Sequence, residues 1–255
     1  MPVKDSYPEG LSIVLPAFNE EENIETAIRR CFSVLQKLPV PSHEVVVVND
    51  GSHDRTSAIC HNLQTTWPQL EVIDFERNRG YGAALSAGFL HAKYRFVFYT
   101  DSDNQFDVSE LRFLLPMMED YDLVVGSRVY RYDPFIRLFL SWGYNMLVRF
   151  IFGVRVHDID CAFKLFRRSM FDFMPIEATD FFVDTEIVVK AHRQGYRLNE
   201  VGVRHYPRMA GRTSVRPSDI PRTLRTLLRI WRSAHKVHPL ETNVRHVELE
   251  KVTSD

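Results

Sequence analysis

A chain of 255 residues with 45% hydrophobic and 25% charged residues has the make-up of a globular protein, and its length is enough to bury one large core. Its net charge of −1 argues against a general nucleic-acid binder, although acids gather at Glu20 to Glu22 and the stretch from Arg204 to Lys236 is strongly basic. Cys31, Cys60 and Cys161 are widely spaced and form no CxxC pair, so they read as reduced thiols of a cytosolic compartment rather than a disulfide frame or a zinc site.

The first ten residues are polar and lack the apolar stretch of a signal peptide. Leu11 to Leu15 is a short apolar run closed by Pro16, the pattern of a buried strand. Asn19 is expected to open a helix with Glu20 to Glu22 in its first turn, where carboxylates favour the positive end of the helix dipole. Glu44 to Val48 reads as a second strand, ended by Asn49-Asp50-Gly51-Ser52, with a helix following to about Leu63. Leu70 to Phe75 is a third strand, Gly80 to Ala92 a helix, Arg95 to Tyr99 a fourth strand running into Asp101, and Asp122 to Val125 a fifth. The run from Phe135 to Val154 is interrupted by Arg137, Gly143, Asn145 and Arg149, so it is not expected to span a bilayer, although it is rich enough in Phe and Leu to touch one. Pro217 to Lys236 reads as an amphipathic helix, with Ile220, Leu224, Leu227, Leu228 and Trp231 at helical spacing among arginines. It either lies on anionic lipid or packs its apolar stripe on the main domain. The end from Glu241 to Asp255 reads as disordered. These divisions give a domain over 8–213, an amphipathic helix over 214–240 and a tail over 241–255.

Strands apolar on both faces and separated by helices indicate an α/β fold with a mainly parallel sheet, in which ligands gather beyond the carboxyl ends of the strands. Pro16 to Glu20, Asn49 to Ser52, Glu76 to Arg79 and Asp101 to Gln105 are therefore expected to line one crevice. Asp101 and Asp103, one residue apart at a strand end, can share a hard divalent cation such as Mg²⁺ or Mn²⁺, to which the Gln105 amide oxygen can add a ligand. The same residues also suit a turn rich in Asp and Asn that caps the next helix. Asp50, after Asn49, suits hydrogen bonding to a nucleobase or ribose, or N-capping of the helix that follows. Arg79-Gly80-Tyr81-Gly82 suggests a phosphate-cradling loop, but Leu85 stands where the third glycine of a dinucleotide fingerprint belongs, which excludes a dehydrogenase of that kind.

Five segments occur in one order: Val14 to Glu21, Val47 to Ser52, Asn78 to Gly82, Asp101-Ser102-Asp103 and Gly126-Ser127-Arg128. The series resembles family 2 glycosyltransferases of the GT-A fold, and within them the polyprenyl-phosphate sugar synthases, over about Leu11 to Thr213. The resemblance implies an enzyme that moves a hexose from GDP-mannose or UDP-glucose to a polyprenyl phosphate, inverting the sugar and working peripherally on the cytosolic membrane face with Mg²⁺ or Mn²⁺. It implies that Pro16, Phe18 and Glu20 hold the nucleoside, that Asp50 binds base or ribose, and that Asp101, Asp103 and Gln105 hold the metal. It further implies that Arg128 lies near a phosphate, that Arg137 and Ser141 grip the acceptor phosphate, and that Arg208 lies near the donor diphosphate. The match is imperfect at Asp158 to Lys164, where the run Asp158-Ile159-Asp160-Cys161-Ala162-Phe163-Lys164 stands in place of the Asp-x-x-Ser-Gly-Phe-Arg of the mannose synthases and departs from it at Cys161, Ala162 and Lys164. Phe182 to Glu186 resembles the position that supplies a base in members with hydroxyl acceptors, so Asp184 is either such a base or an acid paired with a cation. A catalytically silent nucleotide-sugar binder is the reading from another class, against which the intact Asp101 and Asp103 stand.

Overall fold

The computed structural model describes residues 7–130, 135–207 and 228–233, with the side chains of 130 and 135–140 outside the description. One seven-stranded sheet organises these residues. Its strands are β1 (Leu11–Ala17), β2 (His43–Asn49), β3 (Leu70–Asp74), β4 (Phe96–Thr100), β5 (Leu123–Tyr130), β6 (Phe163–Arg167) and β7 (Leu198–Arg204), in the order β3-β2-β1-β4-β6-β5-β7. All pairings are parallel except those of β6, which runs against both β4 and β5.

The apolar runs explain the centre of the sheet. Every residue of β1 is buried, as are the valines of β2, which is what a strand covered by helices on both faces requires. Helices α1 (Ile24–Leu35), α2 (Thr56–Gln64) and α3 (Tyr81–His91) supply the cover. On α1 the buried residues Ile24, Ala27, Ile28, Cys31, Phe32 and Leu35 follow the three-and-four spacing of one helix face. On α3 Gly88 lets the helix close on the sheet, since a Cβ there would stand 2.4 Å from a methyl of Val14. The remaining helices are α4 (Leu111–Leu114), α5 (Phe135–Phe152), α6 (Met170–Phe173) and α7 (Val183–Arg193).

The chain moves from β1 outward to β3, then returns to lay β4 on the other side of β1. The carboxyl ends of β1 and β4 therefore form a topological switch point, where a crevice opens. Because β6 is antiparallel, its amino end meets the same edge, with Phe163 opposite Thr100 and Lys164 opposite Tyr99.

Several elements differ from expectation. Asn19 does not open α1: it has a positive φ of 54°, its N–H donates to Ser52 Oγ and its side-chain oxygen accepts the His53 N–H. The helix begins instead at Ile24, after a turn in which Glu20 accepts N–H groups from Asn23 and Ile24. Asp50 does not cap α2, because Asp54 accepts the Thr56 N–H there. β5 runs on to Tyr130, and β6, α7 and β7 are elements that the pattern reading did not assign. No helix among the described residues is long and apolar enough to cross a membrane. Of the expected amphipathic helix only 228–233 is described, and it is helical with Ile230 and Ser233 buried. The rest of 214–240, and the tail over 241–255, lie outside the described residues.

Candidate functional site

The four expected segments do meet. Ser102 Oγ donates to the Pro16 carbonyl (2.8 Å), joining the ends of β4 and β1. Asn104, at a positive φ of 61°, donates from its side chain to the Asn23 carbonyl (3.0 Å), joining the acidic loop to the start of α1. The buried Asp50 carboxylate accepts the backbone N–H groups of Arg79 (2.6 Å) and Gly80 (2.9 Å), one on each oxygen. Beside it Asn49 ties β2 to β3 by donating to Asp74, and its side-chain oxygen accepts the Ser52 N–H within the following turn. The rim is aromatic and cationic: Phe18 is exposed and lies edge-on to His53, while the Arg79 guanidinium sits over the Phe75 ring. Glu20 is half-buried, taking Thr56 and Asn23 as hydrogen-bond partners.

Tyr81 couples the two halves of this crevice. It begins α3 directly after the loop that Asp50 fastens, and its hydroxyl donates to Asp101 Oδ1 (2.8 Å). Burial, reinforced by the charges of Asp101 and Asp184, holds the Tyr81 phenol well above its usual range, so it stays a donor at any working pH. Asp103 is buried and accepts the Gln105 N–H (3.1 Å), and Gln105 donates from its side chain to the Tyr206 carbonyl (2.9 Å).

The donor set fits a Mg²⁺-type ion. Among the described residues no group of three or more His, Cys, Asp or Glu side chains forms a closed metal cluster. Asp101, Asp103 and Gln105 bring two carboxylates and an amide oxygen to the end of β4, and these are oxygen donors of the kind that Mg²⁺ takes beside water and phosphate.

A second set of charges lies along the amino end of β6. Arg128 on β5 grips Asp158 at two points, Nε to Oδ2 at 2.7 Å and Nη2 to Oδ1 at 2.6 Å. Burial works against the guanidinium charge, but the Asp158 carboxylate outweighs it and holds Arg128 above its ordinary range. Lys164 is fully buried; its ammonium donates to the Cys161 carbonyl and to Asp184 Oδ1, which also accepts the Tyr99 hydroxyl. Asp160 completes the group, accepting from Thr185 Oγ1, which meets the Tyr144 hydroxyl of α5. Burial, with the charges of Asp184 and Asp158, pushes the Asp160 carboxyl up to about 7 against the pull of Lys164 and Arg128. Three carboxylates thus face two cations, and the surplus of negative charge is one reason that the Asp160 carboxyl holds its proton more tightly than usual.

A third feature fastens the loop before α7. Glu186 accepts the N–H groups of Glu177 and Ala178 and pairs with the buried Lys190, which donates to the Pro175 carbonyl. This loop presses on the start of α3, where the Gly82 N–H donates to the Thr179 carbonyl. A Cβ on Gly82 would stand 2.2 Å from the Ala178 carbonyl oxygen, so glycine is required there.

Arg128, expected at a phosphate, therefore has two of its nitrogens engaged by Asp158. Asp184 is buried in an ion pair rather than standing open. Ser141 is half-buried on α5, one turn before Asn145, whose side chain donates to the Ser141 carbonyl and accepts the Ile159 N–H. The side chain of Arg137 and the whole of Arg208 lie outside the described residues. Tyr81, Tyr99, Asp158, Asp160 and Lys164 are site residues that pattern reading did not single out for a role. The signal available for the last three was an Asp-x-Asp followed by Lys within seven residues, the segment where the family pattern breaks.

The sheet order, with its single reversed strand and its acidic loop at the switch point, is that of a GT-A fold. The model of glycosyl transferase family 2 matches residues 12–174, and the chain belongs to that family. The chain is 29% identical over 222 residues to dolichyl-phosphate beta-glucosyltransferase of Saccharomyces cerevisiae, covering 76% of this chain and 66% of the yeast protein. It is also 29% identical over 221 residues to polyprenol monophosphomannose synthase of Mycolicibacterium smegmatis, covering 82% of each. Among solved structures, glucosyl-3-phosphoglycerate synthase from Mycobacterium tuberculosis, bound to Mn²⁺, uridine diphosphate and glucosyl-3-phosphoglycerate, superposes with a TM-score of 0.66 at 19% identity. That match covers 91% of this chain and 82% of the other.

Proposed function

We propose that the chain transfers a hexose from a nucleotide-sugar, UDP-glucose or GDP-mannose, to a polyprenyl phosphate at the cytosolic face of a membrane. The observation that carries this reading is the link from Asp50 through the Arg79–Gly80 loop to Tyr81, and from Tyr81 to Asp101. That link joins the loop assigned to the nucleoside and the acidic loop assigned to the cation in one hydrogen-bonded frame. Relatives named for transfer to dolichyl or polyprenyl phosphate, and a structural neighbour bound to Mn²⁺ and uridine diphosphate, support it.

In this reading Pro16, Phe18, Glu20 and Asn49 border the nucleoside, and Asp50 acts through the loop it fastens. A divalent cation held by Asp101, Asp103 and the Gln105 amide oxygen would stabilise the charge that develops on the departing diphosphate. Tyr81 keeps Asp101 in place as a neutral donor. The acceptor phosphate, whose second pKa is about 6, is already largely ionised near neutral pH and needs no base. Its oxygen forms the new bond to the anomeric carbon on the face opposite the diphosphate, whose bond to that carbon breaks. Arg137 and Ser141 are assigned to the acceptor phosphate, and Arg208 to the donor diphosphate, since a cation must offset the repulsion between two anions. Transfer to a hydroxyl acceptor with Asp184 as base fits less well, because Asp184 Oδ1 is taken by Lys164 and Tyr99.

The test is transfer of labelled hexose from each nucleotide-sugar to a short polyprenyl phosphate, alongside thermal shifts with each donor and Mn²⁺. A ligand bound by the folded state raises its apparent stability, so the true donor stands out. Label appearing in a polyprenyl-phosphate hexose supports the reading. Donor binding with transfer only to hydroxyl compounds would replace it.

A further inference from the structure

The outward face of α5 carries an apolar stripe. Trp142, Met146 and Phe150 stand one turn apart and are 57%, 51% and 87% exposed, with Leu147 and Ile151 exposed beside them. The opposite face of the same helix is buried through Asn145, Val148 and Phe152. A contiguous apolar patch of large side chains is uncommon on a soluble surface and marks a contact site.

The charge on this face selects the occupant. No Asp or Glu occurs anywhere from Phe135 to Phe152, and the exposed Arg149, three positions after Met146 and seven after Trp142, borders the apolar stripe along its edge. An arginine stem lies along apolar matter while its guanidinium reaches a phosphate. A second copy docked about a twofold axis would set this basic, acid-free face against itself, with nothing to answer Arg149. The helical stretch 228–233 repeats the chemistry: Leu228 and Trp231 are exposed, Arg229 and Arg232 are exposed, and Ile230 is buried. Its Ser233 hydroxyl is anchored on Glu177 (2.6 Å).

We infer that α5 is a membrane-docking helix that lies in the interfacial plane of an anionic bilayer, with Trp142, Met146 and Phe150 among the acyl chains and Arg149 at the headgroup phosphates. The buried side of α5 carries Tyr144 and Asn145, which bond Thr185 and the Ile159 N–H beside Asp160. One helix, about 10 Å across, would then separate the bilayer from the acceptor side of the site. The purpose of this arrangement rests on the lipid-phosphate reading above; its existence does not.

The experiment is flotation of the full chain with phosphatidylcholine vesicles, with and without phosphatidylglycerol. It is run for the wild type, for Met146→Glu with Phe150→Glu, and for Arg149→Glu. Wild type is expected to float with the anionic vesicles. The apolar double variant should lose at least about tenfold in binding, and Arg149→Glu should lose its preference for phosphatidylglycerol. Because these side chains are exposed, unchanged thermal unfolding verifies each fold. Transfer to a water-soluble short-chain acceptor is measured in parallel and should be the same for all three proteins, so a wrong acceptor and a wrong docking face give different results. Wild type that stays with the soluble fraction, a double variant that floats like wild type, or a dimer that this variant dissolves would overturn the inference.

Discussion

Arg128 and Asp158 meet in a two-point ion pair, β5 supplying the guanidinium and the approach to β6 supplying the carboxylate. Both side chains are nearly buried, at 11% and 9% exposure, so the pair is little screened by water. Breaking such a pair leaves one charge without its counterpart, which typically costs about 3–5 kcal/mol. Asp158→Asn is expected to destabilise the fold by about that amount in urea titration. Arg128→Lys should cost somewhat less, since it keeps the charge and loses the fork.

Lys164 and Asp184 make the sharper comparison. If Asp184 were a base, Asp184→Asn would abolish transfer and leave stability alone. The ion pair predicts the reverse emphasis: a loss of about 3–5 kcal/mol of stability, with Lys164→Met in the same chain recovering much of it. Paired urea titrations of the single and double variants check this.

Asp50 accepts two backbone N–H groups, so Asp50→Asn turns one acceptor into a donor facing a donor. A loss of about 1–3 kcal/mol is expected from the unsatisfied group. Nucleotide-sugar affinity should fall with it, because the Arg79–Gly80 loop loosens, and calorimetric titration of the donor measures that. Asp50→Ala should weaken donor binding as well, whereas a residue that only capped a helix would leave it unchanged.

Asp160 gives a pH dependence of definite sign. Its carboxyl is raised in the folded state from the usual value of 3.8 to about 7. As pH rises past 4 the unfolded chain releases this proton while the folded chain keeps it, so the group's contribution to stability declines between about pH 4 and pH 7 and is gone above that. Asp160→Asn should flatten this slope and raise stability at pH 8, by an amount on the order of a few kcal/mol. Melting temperatures across that pH range, for wild type and variant, provide the measurement.

Much of the crevice at the ends of β1, β2 and β4 was legible because it is local in sequence. Continuous apolar runs such as Leu11 to Leu15 can only be buried strands, and the polar residues that follow them fall at one sheet edge by topology alone. Asn19 misled because its residue type suits a helix cap, yet tertiary contacts with Ser52 and His53 hold it in a left-handed conformation. The charged group around Lys164 was harder because it is assembled from distant segments. Lys164 reads as an ordinary surface cation until antiparallel pairing sets it opposite Tyr99 and α7 brings Asp184 to it. β7, with Asn199, Glu200 and Gly202 among its seven residues, lacks an apolar run and becomes a strand by pairing in parallel with β5.

The proposed transfer turns on a divalent cation that Asp101 and Asp103 seat against the donor diphosphate. It is tested most directly by measuring hexose transfer with the metal removed by chelator and restored, in wild type and in Asp101→Asn with Asp103→Asn. Chelation is expected to abolish turnover, Mn²⁺ or Mg²⁺ to restore it in wild type, and the double variant to stay folded but at least about a thousandfold slower at any metal concentration. Transfer that persists at the wild-type rate after chelation, or in the double variant, would contradict it.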